Sequence, residues 1–399
     1  MLRTAQHATT RGRGDHTMHQ STTLHPQLRA RGRYSQAILL HQQALDSARQ
    51  ADNRTAEQQA LIGLGDIRYL QSRSEPATHH YQRALTSARH TGNHAAETAA
   101  LLGLGGVHYT QGDYRRAGDC DEQALDIARR TGNHNAELEA LTSLGYAHSV
   151  QGRYRQAADF LTQALMGARR TGNHATEQDA LGGLHTEQGR YQQAADCYEH
   201  ALDVAGHIGS RTAAQYALSG LGHVHVLQDR CQLATACFDE APRGARHTGN
   251  QTIEHTVMRG LGNIHYSRGA YGPAADCLEQ ALAIARQSGD RRGQLQAHQD
   301  LGRVCYATND HHAALRHHHT ALRLALDLDQ PADQALANDR LAHTHHAAGD
   351  PDQARHHWRT ALDLLAAIGT NHTRDPAVTT EAIRARLHAS PRATTGGDE

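Results

Sequence analysis

Apolar and small residues along this chain return in a fixed order every forty residues or so. Residues 96–133 read AETAALLGLGGVHYTQGDYRRAGDCDEQALDIARRTGN and serve as a ruler. In the first half, Ala100, Leu101, Leu104, Gly105 and His108 fall at helical spacing on one face, predicting a helix over about 95–110. Gly112 can take the left-handed conformation that ends a helix, and Asp113 can cap the next. The second helix is predicted over about 114–130, with Tyr114, Ala117, Ala124, Leu125 and Ala128 facing inward. Gly132 ends it. Asn133 caps the following repeat, and Glu137 suits that helix's positive end.

The ruler lays along most of the chain. Leu104 returns as Leu64, Leu144, Leu184, Leu221, Leu261, Leu301 and Leu341. Gly105 returns as Gly65, Gly145, Gly222, Gly262 and Gly302, then becomes Ala342. Ala117 and Ala124 return in every unit, for example as Ala77 and Ala84, and as Ala354 and Ala361. A small residue where two helices cross lets their axes approach to roughly 8–10 Å. The glycine-rich words, GLGG at 103–106 among them, therefore read as helix-crossing devices. A phosphate-binding loop is normally used once, between a strand and a helix.

The Leu-Gly pair, the aromatic after the turn and the two alanines resemble the tetratricopeptide repeat (TPR) in order and spacing. The match spans about 56–370, eight units, with a remnant at 24–53. Forty-residue units with a TGN turn look most like Pins and kinesin-light-chain arrays. They look equally like the C-terminal arrays of actinobacterial antibiotic-regulatory activators and STAND-type NTPases. The implied fold is all-α, a right-handed α-solenoid of stacked helix-turn-helix hairpins.

Interruptions of the pattern set the expected domain plan. Residues 1–23 form a disordered Arg/Thr-rich N-terminus, and 24–53 a partial repeat supplying mainly its second helix. Repeats one to four fill 56–210, with the first helix of repeat four about a turn short between Leu184 and Gly189. Residues 211–250 are a degenerate fifth repeat, where Asp229 and Cys231 replace the turn Gly and Tyr. Pro242 sits inside its second helix, where it removes a hydrogen bond and clashes. A kink is expected near 229–243; drift in a tolerant array is the plainer account of the same residues. Repeats six to eight fill 251–370, and 371–399 hold a capping helix and a loose tail. Pro26 breaks the helix that should precede 34–51, leaving that half-repeat uncovered. Solenoid ends need polar caps, so self-association through this N-terminal end is one expectation. Weak cover by residues 1–23 is a second, and a chain that is the tail of a longer regulator a third.

Composition narrows the chemistry. All 40 basic residues are Arg, against 41 acidic ones, and the net charge of −1 gives no strong pull on nucleic acid or anionic membrane. Without Lys there is neither a Walker A loop nor a Schiff base. No apolar run reaches the roughly 20 residues needed to span a bilayer. The six cysteines form no CxxC pair, and a reducing cytoplasm is the expected location.

Candidate chemistry reduces to ladders. His108 returns as His148, His225, His265 and His345, but one side chain per repeat cannot converge on a metal ion, so packing is expected there. The run HHAALRHHH at 311–319 and the His356–His357 pair are denser, and adventitious Ni²⁺ or Zn²⁺ is the alternative to a plain surface. Cys120, Cys197, Cys237 and Cys277 share one register position too widely spaced for disulfides. Arg89, Arg129, Arg169, Arg246 and Arg286 line the ends of second helices, where they complement the dipole and pair with first-turn Glu. No catalytic, cofactor or metal site is expected, and no enzyme.

The TPR resemblance implies a concave groove lined by first helices. The residues placed on it are Tyr109, Tyr146, Ser149, His223, Asn263, Tyr266, Arg303, Tyr306, His343 and His346. Of the asparagines that clamp peptide backbone in Pins-like arrays, only Asn263 is present. The expected function is a scaffold binding a protein or peptide segment in that groove, with no direct nucleic-acid contact and no membrane. The alternative is the sensor or oligomerisation module of a transcriptional regulator or STAND-type switch whose effector domains are missing or encoded separately.

Overall fold

The computed structural model describes residues 25, 28, 33–171, 181–183, 185–186, 190–208, 211–248, 251–373, 375 and 377–389. The expectations for 1–23, for the short helix between Leu184 and Gly189, for Pro26 and for the last ten residues lie outside them. Consecutive helices form hairpins. They are α1 (Tyr34–Gln50), α2 (Arg54–Leu70), α3 (Ser74–Thr91), α4 (His94–Gln111), α5 (Tyr114–Thr131), α6 (His134–Val150) and α7 (Tyr154–Thr171). After helical residues at 181–183 and 185–186 come α8 (Tyr191–Ile208), α9 (Arg211–Leu227), α10 (Cys231–Thr248), α11 (Gln251–Ser267) and α12 (Tyr271–Ser288). The series ends with α13 (Arg291–Ala307), α14 (His311–Asp327), α15 (Pro331–Ala347), α16 (Pro351–Ala367) and α17 (Thr380–Ala389). Among the described residues there is no strand, only an isolated bridge between His372 and Thr379.

The local chemistry of each turn is repeated. Gly92 and Gly112 end α3 and α4 at φ 67° and 80°, in the left-handed region that favours glycine. The next residues cap the following helices: Asn93 Oδ1 accepts from the Ala96 amide at 3.3 Å, and Asp113 Oδ1 from the Arg116 amide at 3.1 Å. Asp229 holds the same turn position at φ 56° and keeps the geometry without a glycine. The backbone of α10 is helical across Pro242 through Thr248.

Contacts divide the chain into two units, one of residues 1–147 with 157–257 and the other of 148–156 with 258–399. In the first unit, α2 packs on α3 and α4 on α5, and each second helix then packs on the next first helix, as α3 does on α4. First helices also meet one another, as α2 and α4 do. One repeated core contains Leu125, Ala140, Leu141, Leu144, Leu161, Ala164 and Leu165. The N-terminal half-repeat is not bare: Leu28 packs on the cluster of Tyr34, Ala37, Ile67 and Leu70. Beside it His25 bonds His41 at 2.7 Å and meets Asp66 at 3.3 Å.

In the second unit, α13–α14 and α15–α16 pair, and α14 packs on α15. The last core gathers Leu336, Trp358, Leu365, Val378 and Ile383, so α17 covers apolar residues of α15 and α16. Arg386 of α17 binds the fully buried Asp339 at 3.0 Å, and Arg340 pairs with Asp375.

The glycines of the Leu-Gly words work differently from the expectation of helix crossing alone. A Cβ built on Gly65 would lie 2.6 Å from the Tyr81 ring, on Gly222 2.5 Å from Phe238, and on Gly302 2.3 Å from His318. On Gly145 and Gly262 it would meet Leu161 and Leu278 at 2.7 and 2.6 Å, with the backbone oxygens of Ala157 and Ala274 next, at 3.5 and 3.3 Å. Each glycine is thus a socket for one large side chain of the second helix. Where the glycine becomes Ala342, Trp358 sits in the knob register, in the same core cluster. Repeat two puts Asp121 there, 2% exposed, with Oδ1 lacking a hydrogen-bond partner among the described residues and 2.3 Å from an added Gly105 Cβ.

Candidate functional site

Five of the first helices carry a deeply buried residue just before the His108 slot: Ile67, Val107, Val224, Ile264 and Thr344 are 0–2% exposed. The slot itself is mostly half-buried, at His108, His148, His265 and His345. Burial, the largest effect, pushes the His108, His148 and His345 imidazoles below their ordinary range. The tightly packed position is therefore one residue earlier than the sequence pattern suggested. Among the described residues no group of three or more His, Cys, Asp or Glu is arranged to hold a metal ion.

The dense histidines are an interior feature as much as a surface one. His318 is 1% exposed, and burial, then Arg340, His317, His319 and Arg303, press its imidazole down to about 3. His298 Nδ1 lies 3.0 Å from His317 Nδ1. His345 stacks on His357 at 5.4 Å, and His357 Nδ1 bonds Asn338 Oδ1 at 2.8 Å. These rings pack as neutral, polarisable plates. Burial likewise raises the thiols of Cys120, Cys237, Cys277 and Cys305, Cys120 to about 11, and none of the six cysteines is in a disulfide.

The arginine ladder has the expected pairing and an additional partner. Arg89 Nε donates to Glu97 at 3.0 Å and its Nη2 to Gln123 at 2.9 Å. Arg129 repeats this with Glu137 at 3.2 Å and Gln163 at 3.2 Å. One guanidinium thereby fixes a second helix to the next hairpin.

The ten residues placed on the first-helix face are distributed unevenly. In the first unit, Tyr109 meets the Tyr114 ring edge-on at 5.3 Å, Tyr146 lies half-buried beside Gly183, and His223 is exposed. In the second unit, Ser149 is half-buried, and His343 and His346 flank Trp358 at 5.7 and 5.9 Å. Three of the ten converge. Asn263 and Tyr266 of α11 and Arg303 of α13 form one polar cluster, with Tyr306 a turn beyond at 36% exposure. The Arg303 guanidinium lies over the Tyr266 ring, 4.4 Å from its centroid. Arg303 Nη1 is 3.5 Å from both Asn263 Oδ1 and Asp300 Oδ1. Asn263 Nδ2 donates to Asp300 Oδ2 at 3.2 Å, and Arg259 reaches the same carboxylate at 3.6 Å. The sequence pattern did not single out Arg259 and Asp300. Their signal was present: Arg259 is four residues before Asn263, and Asp300 three before Arg303, on the same helix faces.

Helix pairs of one length, stacked through repeated sockets, define a helical-repeat protein of the solenoid class. The chain belongs to the tetratricopeptide repeat family. Family models described as tetratricopeptide repeat match residues 97–170, 212–287 and 253–327, and also 28–55 and 179–212, together more than half of the chain. No curated protein matches it in sequence. Among solved structures it resembles a Rap protein complexed with Competence and Sporulation Factor, with a TM-score of 0.65 at 13% identity over 90% of this chain and 99% of that one. It also resembles the apo form of the quorum sensor NprR from B. thuringiensis, with a TM-score of 0.50 at 13% identity over 84% of this chain and 97% of that one. BtubC (BKLC) from P. vanneervenii is 21% identical, with a TM-score of 0.44, over 54% of this chain and 92% of that one. These likenesses are of fold. A tetratricopeptide array has the architecture of an interaction scaffold or regulator and is typically non-catalytic. No described helix is long and apolar enough to cross a membrane.

Proposed function

We propose that the chain binds a protein or peptide segment along the first-helix face, in the groove of the array. The observation that carries this reading is the cluster of Asn263, Tyr266 and Arg303, contributed by adjacent first helices, beside the exposed Tyr306. Tyrosine offers a large, rigid contact area with a polar tip, and Asn and Arg supply directional hydrogen bonds to a peptide. Tyr109, Tyr146, Ser149, His223, His343 and His346 occupy the same registers on the first helices of their own units. The test is panning of a displayed random-peptide library on the full chain. Selected peptides should bind the Tyr266→Ala/Tyr306→Ala double variant at least about tenfold more weakly. Equal affinity for the double variant would refute this face.

A second reading, a regulator's sensor module, is supported by the extent of the fold likeness. The Rap structure, solved with a bound factor, aligns with 90% of this chain. In that reading, occupancy of the same face alters how the array engages an effector protein. Co-purification of a separately encoded effector only when the face is occupied supports it; identical recovery with and without a selected peptide argues against it.

A further inference from the structure

We propose that the C-terminal helix α17 is an acid-opened latch on the last hairpin, locked by Arg386 on Asp339 and released when His343 becomes cationic. The inference is independent of the groove reading. A helix of ten residues is too short to hold itself together in water. Its own burial is slight: Ile383 is its buried residue, with Leu387 half-buried beside the Trp358 core. What fixes it is charge. Arg386 Nη1 donates to Asp339 Oδ1 at 3.0 Å, and its Nη2 to the Ala377 carbonyl at 3.2 Å. Arg340 pairs with Asp375 just before the helix. Asp339 is 0% exposed, so the closed latch needs a cation beside it. Lifting α17 takes that cation away and lets water reach the carboxylate.

The trigger lies on the other side of the same carboxylate. Asp339 Oδ2 has no hydrogen-bond partner among the described residues, and His343 Nε2 stands 3.6 Å from it, one turn along α15. The His343 ring meets Trp358 of α16 edge-on at 5.7 Å, so it is held in place. The charged and titratable groups facing it are Asp339, Arg340 and His346 on α15 and Arg386 on α17. Burial, the largest effect, with Arg386, Arg340 and His346, holds the imidazole below its ordinary range against the opposing pull of Asp339. The closed latch therefore disfavours a proton that the open one accepts, and opening is favoured as pH falls through the ordinary imidazole range. Once protonated, His343 compensates Asp339 from within α15 and repels Arg386, so the guanidinium is both replaced and pushed away. Opening bares the apolar residues Leu336, Trp358 and Leu365 at the end of the array.

The experiment is amide hydrogen exchange of the full chain at pH 7 and pH 5, with each rate divided by the intrinsic rate at that pH. Amides of α17 should exchange ahead of those of α13 and α14 at both pH values, because the latch opens without unfolding the array. In the parent, α17 should lose about tenfold in protection between pH 7 and pH 5. His343→Phe keeps a ring against Trp358 and removes the titration, so the acid step in α17 should vanish. Arg386→Gln should lower α17 protection about tenfold at pH 7 and shrink the acid step, since the cation that repels the imidazolium is gone. Slower exchange in α13 and α14 than in α17 verifies that each variant remains folded. Exchange of α17 no faster than that of α14 in the parent overturns the latch. An equal acid step in the parent and His343→Phe overturns the trigger, and unchanged α17 protection in Arg386→Gln overturns the lock.

Discussion

Acidification should loosen the second unit, and the buried imidazole of His318 should carry a separable part of that loss. His318 sits in the socket of Gly302, as the Leu278 side chain sits over Gly262. The groups that disfavour its protonation are the guanidinium ions of Arg340 on α15 and Arg303 on α13, and the imidazoles of His317 and His319 on its own helix once they take up protons. Burial and these neighbours press its imidazole from 6.5 to about 3. The sign follows directly. Between these two values the unfolded chain binds a proton that the folded one does not, so stability falls as pH falls. At pH 5, well above the folded value, the loss is set almost entirely by the unfolded one. Relative to pH 7 it comes to about 2 kcal/mol for this group alone. The assay is urea unfolding at pH 7 and pH 5, followed by the fluorescence of Trp358, the sole tryptophan. His318→Leu installs the residue type that fills the equivalent sockets at Leu161 and Leu278, so the socket stays occupied while the titration is removed. The variant should lose about 2 kcal/mol less than the parent between the two pH values. His298 and His357, each held at about 4, titrate in both proteins and cancel in the comparison. Equal losses in parent and variant would refute the assignment of the acid sensitivity to this socket.

Three further outcomes follow from the same packing. Asp121→Leu should stabilise the first unit by about 1–3 kcal/mol, because it removes a buried carboxyl whose Oδ1 has no hydrogen-bond partner among the described residues and whose pKa burial and Glu139 push well up; a thermal melt of both proteins at pH 7 decides it. Gly222→Ala should cost about 1–3 kcal/mol, since the new methyl would lie 2.5 Å from the Phe238 ring, and hydrogen exchange should show the loss first in α9 and α10. Gln58→Ala should cost about 1–3 kcal/mol, because Gln58 is fully buried and its amide joins Ser87 and Thr91 of α3 to Asn93 before α4; unchanged urea unfolding would count against it.

Periodicity alone determined the class of fold. Leu104, Ala117 and Ala124 recur at one spacing, and each hairpin can bury its apolar side only against the next, so a stacked helical array follows. Local turn chemistry was equally legible, because a glycine at positive φ followed by Asn or Asp at the cap needs only neighbouring residues. What fills each glycine socket was not legible in that way. Tyr81, Asp121, Leu161, Phe238, Leu278, His318 and Trp358 share a register but no chemistry, and only packing shows that they do one job. The cluster around Arg303 was half legible. Asn263, Tyr266 and Arg303 could be placed on one face by helical spacing, whereas Asp300 and Arg259 enter through contacts between helices about forty residues apart. Helical period fixes which side of a rod a residue occupies; the rotation and offset of one rod against the next decide which of those residues meet, and these are set by side-chain volumes summed over the whole interface.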